Sequence, residues 1–347
     1  RVAIFHSGLS NGEKYDEYLK IYRNEIDIVV GTRSAIFTPL KNIGLIVLDE
    51  EHSETFKQDS NPRYNAIDMA IFRGKYNNCP VILGSATPSL EAMARARKEI
   101  FKLIAMPNRV GGAVLPQIEI VDMALEMKKR NTILSERLQD EIRKNLELGE
   151  QTILLLNRRG HSTIVTCQAC GYVYKCPYCD ISLTYHKTSN NLRCHYCGYT
   201  VLKDNICPEC HEEALNYMGL GTEKLEQTLK EMYKDARIIR MDVDTTSNKG
   251  SHEKIINDFK EHKYDILLGT QMISKGLDFP LVTLVGVINA DSSLNIPDFR
   301  SGERTFELLS QVAGRAGRSN LAGRVIIQTF NPDNQYLNFV KENSYEK

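Results

Sequence analysis

The stretch Ile43-Gly44-Leu45-Ile46-Val47-Leu48-Asp49-Glu50-Glu51-His52 decides the fold class. Apolar residues fill almost every position up to Leu48, and carboxylates stop the run at once. A strand with one wet face alternates apolar and polar residues. A strand apolar throughout is covered on both faces, as in a parallel sheet. The pattern of Ile43–Asp49 recurs at Val2–His6, Ile26–Gly31 and Pro80–Gly84, with helical patterns between at Gly12–Arg23, Asn65–Lys75 and Ser89–Lys98. This β-α order predicts an open parallel α/β sheet.

Near Asn108–Leu115 the pattern breaks, where Pro107, Gly111, Gly112 and Pro116 crowd together. The expected division is a first lobe over residues 1–108, a linker over 109–134 and a second lobe over 135–347. In the second lobe a helix is predicted over Ser135–Leu148, with Ser135 as N-cap and Gly149 as its stop. A strand follows at Gln151–Asn157, and a cysteine-rich insert occupies 166–217. The β-α order then resumes with a helix at Thr222–Lys234, a strand at Arg237–Asp242 and a helix at Gly250–Lys260. Strands are expected at Asp265–Gly269, Val282–Asn289 and Gly323–Phe330, with a helix over Gly302–Ala316.

Composition narrows the class. Apolar residues make up 42% and charged residues 25% of the 347, which excludes wholesale disorder. No apolar run approaches the ~18–20 residues of a membrane span. Lys plus Arg and Asp plus Glu both number 44, which excludes a bulk polycation but leaves room for a local basic track. The chain opens on Arg1 and a strand, without Met or a cationic flank. It is expected to be part of a longer, cytoplasmic polypeptide.

Eight of the nine cysteines form four C-x-x-C pairs: Cys167/Cys170, Cys176/Cys179, Cys194/Cys197 and Cys207/Cys210. Scattered cysteines in a small secreted chain would indicate disulfides; one dense block in a large chain indicates metal. Tetrahedral Zn²⁺ takes four thiolates, so the block provides for two ions. Five residues separate the first two pairs, too few to wrap one ion comfortably. Fourteen separate Cys179 from Cys194, with a hairpin between. The second pair is therefore expected to share an ion with the third, and the first with the fourth; a crossed arrangement is the alternative. Cys167 to Tyr217 holds four Lys/Arg and five Asp/Glu, leaving the zinc-loaded insert at about −5, too negative for a phosphate clamp. It also holds seven of the sixteen tyrosines, which suit base stacking, protein contact or a minimal core.

Other motifs carry chemistry. At the carboxyl end of a parallel strand, where ligands bind, Asp49 can hold Mg²⁺ and Glu50 can orient or deprotonate a water. A solvated acidic turn is the plain alternative. Gly84-Ser85-Ala86-Thr87-Pro88 could hydrogen-bond that acidic motif. Thr32 and Arg33 could grip nucleic-acid phosphates, as could Thr270, and Asp278 could lie near the nucleotide. Gln311, Arg315 and Arg318 are spaced to share a helix face, where paired guanidiniums fit a triphosphate.

The order of these motifs resembles the superfamily 2 helicases of the DEAH-box type. With the four C-x-x-C pairs it resembles the family of primosomal replication-restart helicases. The resemblance runs through H-S-G-L-S at His6–Ser10, G-T-R-S-A-I-F at Gly31–Phe37, D-E-E-H at Asp49–His52 and Pro62-Arg63-Tyr64-Asn65. It continues in G-S-A-T-P-S at Gly84–Ser89, L-L-L-N-R-R-G-H at Leu154–His161, G-T-Q-M-I-S-K-G-L-D-F-P at Gly269–Pro280 and Q-V-A-G-R-A-G-R at Gln311–Arg318. It implies two RecA-like parallel-sheet lobes, the first incomplete, with a double-zinc insert in the second. It implies an ATP- and Mg²⁺-dependent 3′→5′ motor on single-stranded and forked DNA that works with primosome and replication-restart proteins. Asp49, Glu50, Arg315 and Arg318 would be catalytic. His52, Gly276, Asp278 and Gln311 would meet the nucleotide, and His6, Thr32, Arg33 and Thr270 the nucleic acid. The family's G-x-x-x-x-G-K-[ST] phosphate loop is not found here, so the 347 residues alone are expected not to hydrolyse ATP. A zinc-dependent binding module on a helicase scaffold, or an RNA helicase of the DEAH type, are the alternatives.

Overall fold

The computed structural model describes all residues except 7, 107–114, 130–132, 157–163, 187–188, 218–220, 243–244, 247–249, 271–272, 274–278, 318–320 and 346–347. The chain divides into two compact units, Arg1–Ala105 and Met106–Lys347.

The first unit runs β1 (Val2–Phe5), α1 (Asn11–Tyr22), β2 (Ile28–Gly31), β3 (Ile46–Leu48), β4 (Lys57–Gln58), β5 (Tyr64–Asn65), α2 (Ala66–Asn77), β6 (Val81–Leu83) and α3 (Leu90–Arg97). β1 pairs with β2, and β3 with β6, both in parallel. Local chemistry fixes the helix starts. Ser10 and Glu13 form a reciprocal capping box at α1, and Asn65 and Ser89 cap α2 and α3. The strands were expected to be covered on both faces. Within this chain Val2, Ile4, Ile28, Val30, Val47 and Ile82 are instead exposed, so one face is open while Ala3 and Leu48 are buried.

The second unit opens with β7 (Gln117–Asp122), α4 (Met123–Lys128), α5 (Glu136–Leu148) and β8 (Gln151–Leu155). The insert follows, with β9 (Val165–Cys167), β10 (Thr184–His186), β11 (Asn191–Arg193), β12 (Thr200–Leu202) and β13 (Leu215–Tyr217). Then come α6 (Thr222–Met232), β14 (Ile238–Met241), α7 (Ser251–Lys260), β15 (Ile266–Gly269), β16 (Val282–Val287), α8 (Asp291–Leu294), α9 (Ser301–Ala313), β17 (Arg324–Thr329) and α10 (Gln335–Lys341). Six strands form one parallel sheet in the order β14-β15-β8-β16-β17-β7.

Strand pleating sorts β8 between two cores. Ile153 and Leu155 join Leu267, Val285, Ile327, Phe259, Leu309 and Val312 on one face. Leu154 and Leu156 join Leu268, Leu284, Ile326, Leu138, Ile142, Leu225 and Leu229 on the other. Every residue of β8, β15 and β16 is buried, as the continuous apolar runs require. Ser135 caps α5, and Gly149 ends it at φ +66.

Two expectations change. Residues 109–134 are not simply a linker, because Gln117–Asp122 is the edge strand β7, paired in register along all of β17. An edge strand is half-wet and mixes polar with apolar residues, so it lacks the signature of the central strands. The helix expected over Gly302–Ala316 ends at Ala313, and Gly314–Gly317 form a turn. A Cβ on Gly317 would lie 2.6 Å from Gly323 N, and Gly317 sits at φ +69. The glycines therefore end the helix and admit neighbouring backbone.

Candidate functional site

The eight paired cysteines converge into two cradles, Cys167, Cys170, Cys207 and Cys210, and Cys176, Cys179, Cys194 and Cys197, each with its sulfurs within 4.8 Å of one another. This is the nested pairing. All four pairs use one turn. The residue after the second cysteine donates its N–H to the first cysteine's carbonyl: Gly171 to Cys167 and Asp180 to Cys176 at 2.8 and 2.9 Å, Gly198 to Cys194 and His211 to Cys207 at 3.0 Å. The first cysteine's N–H in turn donates to Tyr172, Ile181, Tyr199 or Glu212 at 2.8–2.9 Å. The turn needs left-handed backbone after the second cysteine, seen at Gly171, Asp180, Gly198 and His211. Sequence reasoning missed this position; glycine at 171 and 198 was its one visible trace.

Sulfur separations of 3.6 Å (Cys167–Cys210), 3.7 Å (Cys170–Cys207) and 3.5 Å (Cys176–Cys197) are far beyond a disulfide. They match the edge of a tetrahedron of ~2.3 Å Zn–S bonds, about 3.8 Å. The donor set and its spacing therefore fit zinc. Burial pushes the Cys179 thiol up to about 12. Burial also opposes ionisation of Cys194, but N–H donors from Cys197 and Tyr196 outweigh it and bring that thiol down to about 7. Cys207 is lowered in the same way, against burial, by the N–H groups of Cys210 and Glu209.

The insert is rooted in the second lobe. β9 and β13 pair antiparallel as a stem, with Cys167 at its end. Beyond it β10, β11 and β12 form a three-stranded antiparallel sheet beside the second cradle. Val165, Tyr174, Ile181, Leu183 and Leu192 are its core. Gly171 lies directly on the backbone of Phe330, just past β17. A Cβ there would overlap the Phe330 carbonyl oxygen and lie 3.0 Å from the carbonyl carbon. The Phe330 N–H donates to the buried Asp291 carboxylate at 2.8 Å. Burial raises the Asp291 carboxyl above its ordinary range.

In the first unit the acidic motif follows β3. Asp49 Oδ1 accepts the Glu50 N–H at 3.0 Å, and Glu50 is left-handed at φ +54. Glu51 is buried and structural, accepting from Ser89 N and Oγ at 2.6 and 3.0 Å at the start of α3. His52 Nδ1 and Ser85 Oγ share a hydrogen bond of 2.6 Å, and Ser85 Oγ accepts the Thr87 N–H at 3.0 Å. His52 Nε2 lies 3.6 Å from Glu50 Oε2. The Gly84–Pro88 segment thus touches the acidic motif through the Ser85 hydroxyl, as the sequence reading expects.

Thr32 N-caps the 3-10 turn Arg33–Phe37, and its N–H donates to Phe5 O at 3.1 Å. Arg33 is occupied within the fold: one guanidinium nitrogen donates to the carbonyls of Thr55 and Lys57 at 3.1 and 2.7 Å, and the group lies 5.7 Å from the centre of the Tyr64 ring. Arg73, not singled out from sequence, clamps the carbonyls of Ile36, Thr38 and Leu40. His6 Nδ1 accepts the Gly8 N–H at 3.1 Å.

In the second unit Thr270 follows β15 and its N–H donates to Met241 O at 3.3 Å. Gln311 lies in the last turn of α9. Arg315 lies in the turn beyond and is buried, so it is not on an exposed helix face with Gln311. Gly276, Asp278 and Arg318 lie outside the described residues.

Comparison with known proteins places these features together. Residues 2–96 match the family described as DEAD/DEAH box helicase, and 207–320 match the helicase conserved C-terminal domain. Residues 176–201, around the second cradle, match the PriA DNA helicase Cys-rich region domain. The chain is 52% identical over all its 347 residues to the replication restart protein PriA of Bacillus subtilis. The chain is homologous to the PriA replication-restart proteins. The PriA of a Synechocystis species is 47% identical over 99% of the chain. The PriA of Treponema pallidum is 43% identical over 96% of it. The chain spans 43%, 43% and 50% of these three relatives' own lengths. Among solved structures, RecG bound to a three-way DNA junction matches 99% of the chain, and the chain covers 34% of RecG, at a TM-score of 0.50 and 17% identity. Mss116p bound to ssRNA and AMP-PNP matches all of the chain, which covers 56% of Mss116p, at 0.52 and 13%. Both likenesses concern the fold. No helix among the described residues is long and apolar enough to cross a membrane.

Proposed function

We propose that the whole protein is an ATP-dependent 3′→5′ DNA helicase, cytoplasmic, that restarts stalled replication forks and initiates primosome assembly. Its partners are single-stranded and forked DNA and the primosome and replication-restart proteins. The observation that carries this reading is the 2.6 Å hydrogen bond between His52 and Ser85. It joins the acidic motif to a second strand-end segment, as a nucleotide-responsive coupling needs, in a chain that also carries the PriA cysteine region. Magnesium brought with ATP would neutralise phosphate charge, with Asp49 as its protein ligand. Glu50 takes the proton of the attacking water. His52 and Gln311, with Gly276 and Asp278, orient the nucleotide. Arg315 and Arg318 stabilise charge that builds on the phosphates. His6, Thr32, Arg33 and Thr270 lie along the DNA, with Arg33 mainly holding the shape of its loop. Two zinc ions hold the insert in shape through the eight cysteines. The 347 residues alone hold no phosphate loop and do not hydrolyse ATP appreciably.

The test is ATP turnover and strand displacement by the whole protein. DNA-stimulated turnover abolished by Glu50→Gln, with displacement only from a 3′ single-stranded tail, is expected. Turnover that survives Glu50→Gln, or displacement only from a 5′ tail, would overturn the reading.

A further inference from the structure

The two cradles share one turn geometry but differ at the third position of their C-x-x-C pairs. Around the second cradle that position is Tyr178 and Tyr196. Around the first it is Ala169 and Glu209. The turn hydrogen bonds and the left-handed residue are the same in all four, so the knuckle does not require an aromatic there. The tyrosines are not core either: Tyr178 is 77% and Tyr196 56% exposed. Tyr178 is braced from the side by the partly buried Tyr199, ring centres 5.7 Å apart and planes at 77°. A ring held by an edge contact keeps its orientation and loses little freedom when something stacks on it.

Charge is sorted in the same sense. Residues 172–202, around the second cradle, carry Lys175, Lys187 and Arg193 against Asp180. Residues 203–213, which include the fourth pair, carry Asp204, Glu209, Glu212 and Glu213 against Lys203. The acidic side chains thus gather at the first cradle, which is rooted at the stem. The exposed rings belong to the same segment as Lys175 and Arg193. Exposed aromatics beside a few cations are what sequence-tolerant binding of unpaired bases uses.

We infer that Tyr178 and Tyr196 form a stacking platform for unpaired nucleobases of single-stranded DNA. The inference rests on the DNA-helicase reading and names the ring faces that receive the bases. Stacking on a ring face needs no base-specific hydrogen bond, so the platform accepts any sequence. It also adds affinity without adding phosphate contacts.

The test measures binding of a single-stranded oligonucleotide carrying 2-aminopurine to the whole zinc-loaded protein. Tyr178→Ala and Tyr196→Ala each weaken binding about tenfold, within the range of base–aromatic stacking, and reduce 2-aminopurine quenching. Tyr178→Phe and Tyr196→Phe stay within about twofold, and Tyr178→Leu behaves as alanine. The dependence of affinity on salt keeps its slope, because no phosphate contact is lost. Zinc content unchanged in every variant shows the knuckles intact. If the double alanine variant binds DNA with unchanged affinity, the inference falls and the surface belongs to a protein contact. If leucine serves as well as phenylalanine, or the salt slope changes, stacking is refuted. If the unsubstituted protein binds no single-stranded DNA, the DNA reading itself falls.

Discussion

Gly171 and Gly198 occupy equivalent positions, one in each cradle, and together they measure how firmly the zinc insert is seated on the lobe. Their backbones are nearly identical, at φ +76 and +78. A Cβ at Gly198 meets nothing within 4 Å. A Cβ at Gly171 meets the Phe330 carbonyl carbon at 3.0 Å, where ordinary carbon contacts are ~3.5–4.0 Å, so the backbones must part by about 0.5–1 Å. Gly198→Ala therefore carries only left-handed strain, ~1–2 kcal/mol. Gly171→Ala carries the same strain plus an overlap with backbone, ~1–3 kcal/mol more. The excess falls on the first cradle, because Gly171 directly follows Cys170. A competition titration with a chromophoric zinc chelator resolves it. Gly171→Ala should weaken one zinc ion about 5- to 150-fold more than Gly198→Ala weakens the other, at 1.4 kcal/mol per decade. Equal effects of the two alanines would refute the seating of Gly171 on Phe330.

Elemental analysis of the purified chain should return two zinc ions, and Cys176→Ser and Cys194→Ser should disturb the same one, since both belong to the second cradle. Arg324 and Arg137 both bind the buried Glu141, and Arg324 also donates to Asn145 Oδ1 at 2.7 Å; Arg324→Ala leaves the carboxylate with Arg137 alone and should cost ~1.5–3 kcal/mol in urea denaturation. Burial raises the Tyr233 hydroxyl to about 12, above its ordinary value near ~10. The folded state therefore holds that proton more tightly than the unfolded chain. Its contribution to stability is full below pH ~10 and is lost as pH rises through about 12, so Tyr233→Phe should flatten the alkaline decline in denaturation midpoint.

The central strands of the second lobe were legible because burial on both faces writes a continuous apolar run. Ser135 and Gly149 marked α5 because caps are local chemistry. The nested cysteine pairing followed from two chain lengths, one too short to wrap an ion and one long enough for a hairpin. β7 was hidden because Gln117, Glu119 and Asp122 are polar, as an edge permits, and Pro116 stands beside it. The end of α9 was hidden because helical spacing of Gln311, Arg315 and Arg318 continues on paper past the point where Gly314 and Gly317 stop the helix. Arg33 reads from sequence as a phosphate ligand, and no local rule shows that one of its nitrogens also holds the carbonyls of Thr55 and Lys57. The contact between Gly171 and Phe330 joins residues far apart in sequence, and no local rule announces it.

The stem has a consequence for how such a protein could arise. β8 and α6 would follow one another in any ordinary strand-turn-helix step of the sheet. β9 and β13 lie side by side, Val165 opposite Tyr217, so the chain returns next to where it left. The whole metal-binding block is therefore a detour within a single connection. It can be acquired, exchanged or lost by descent without reordering a strand, and its fate can be selected separately from that of the sheet that carries it.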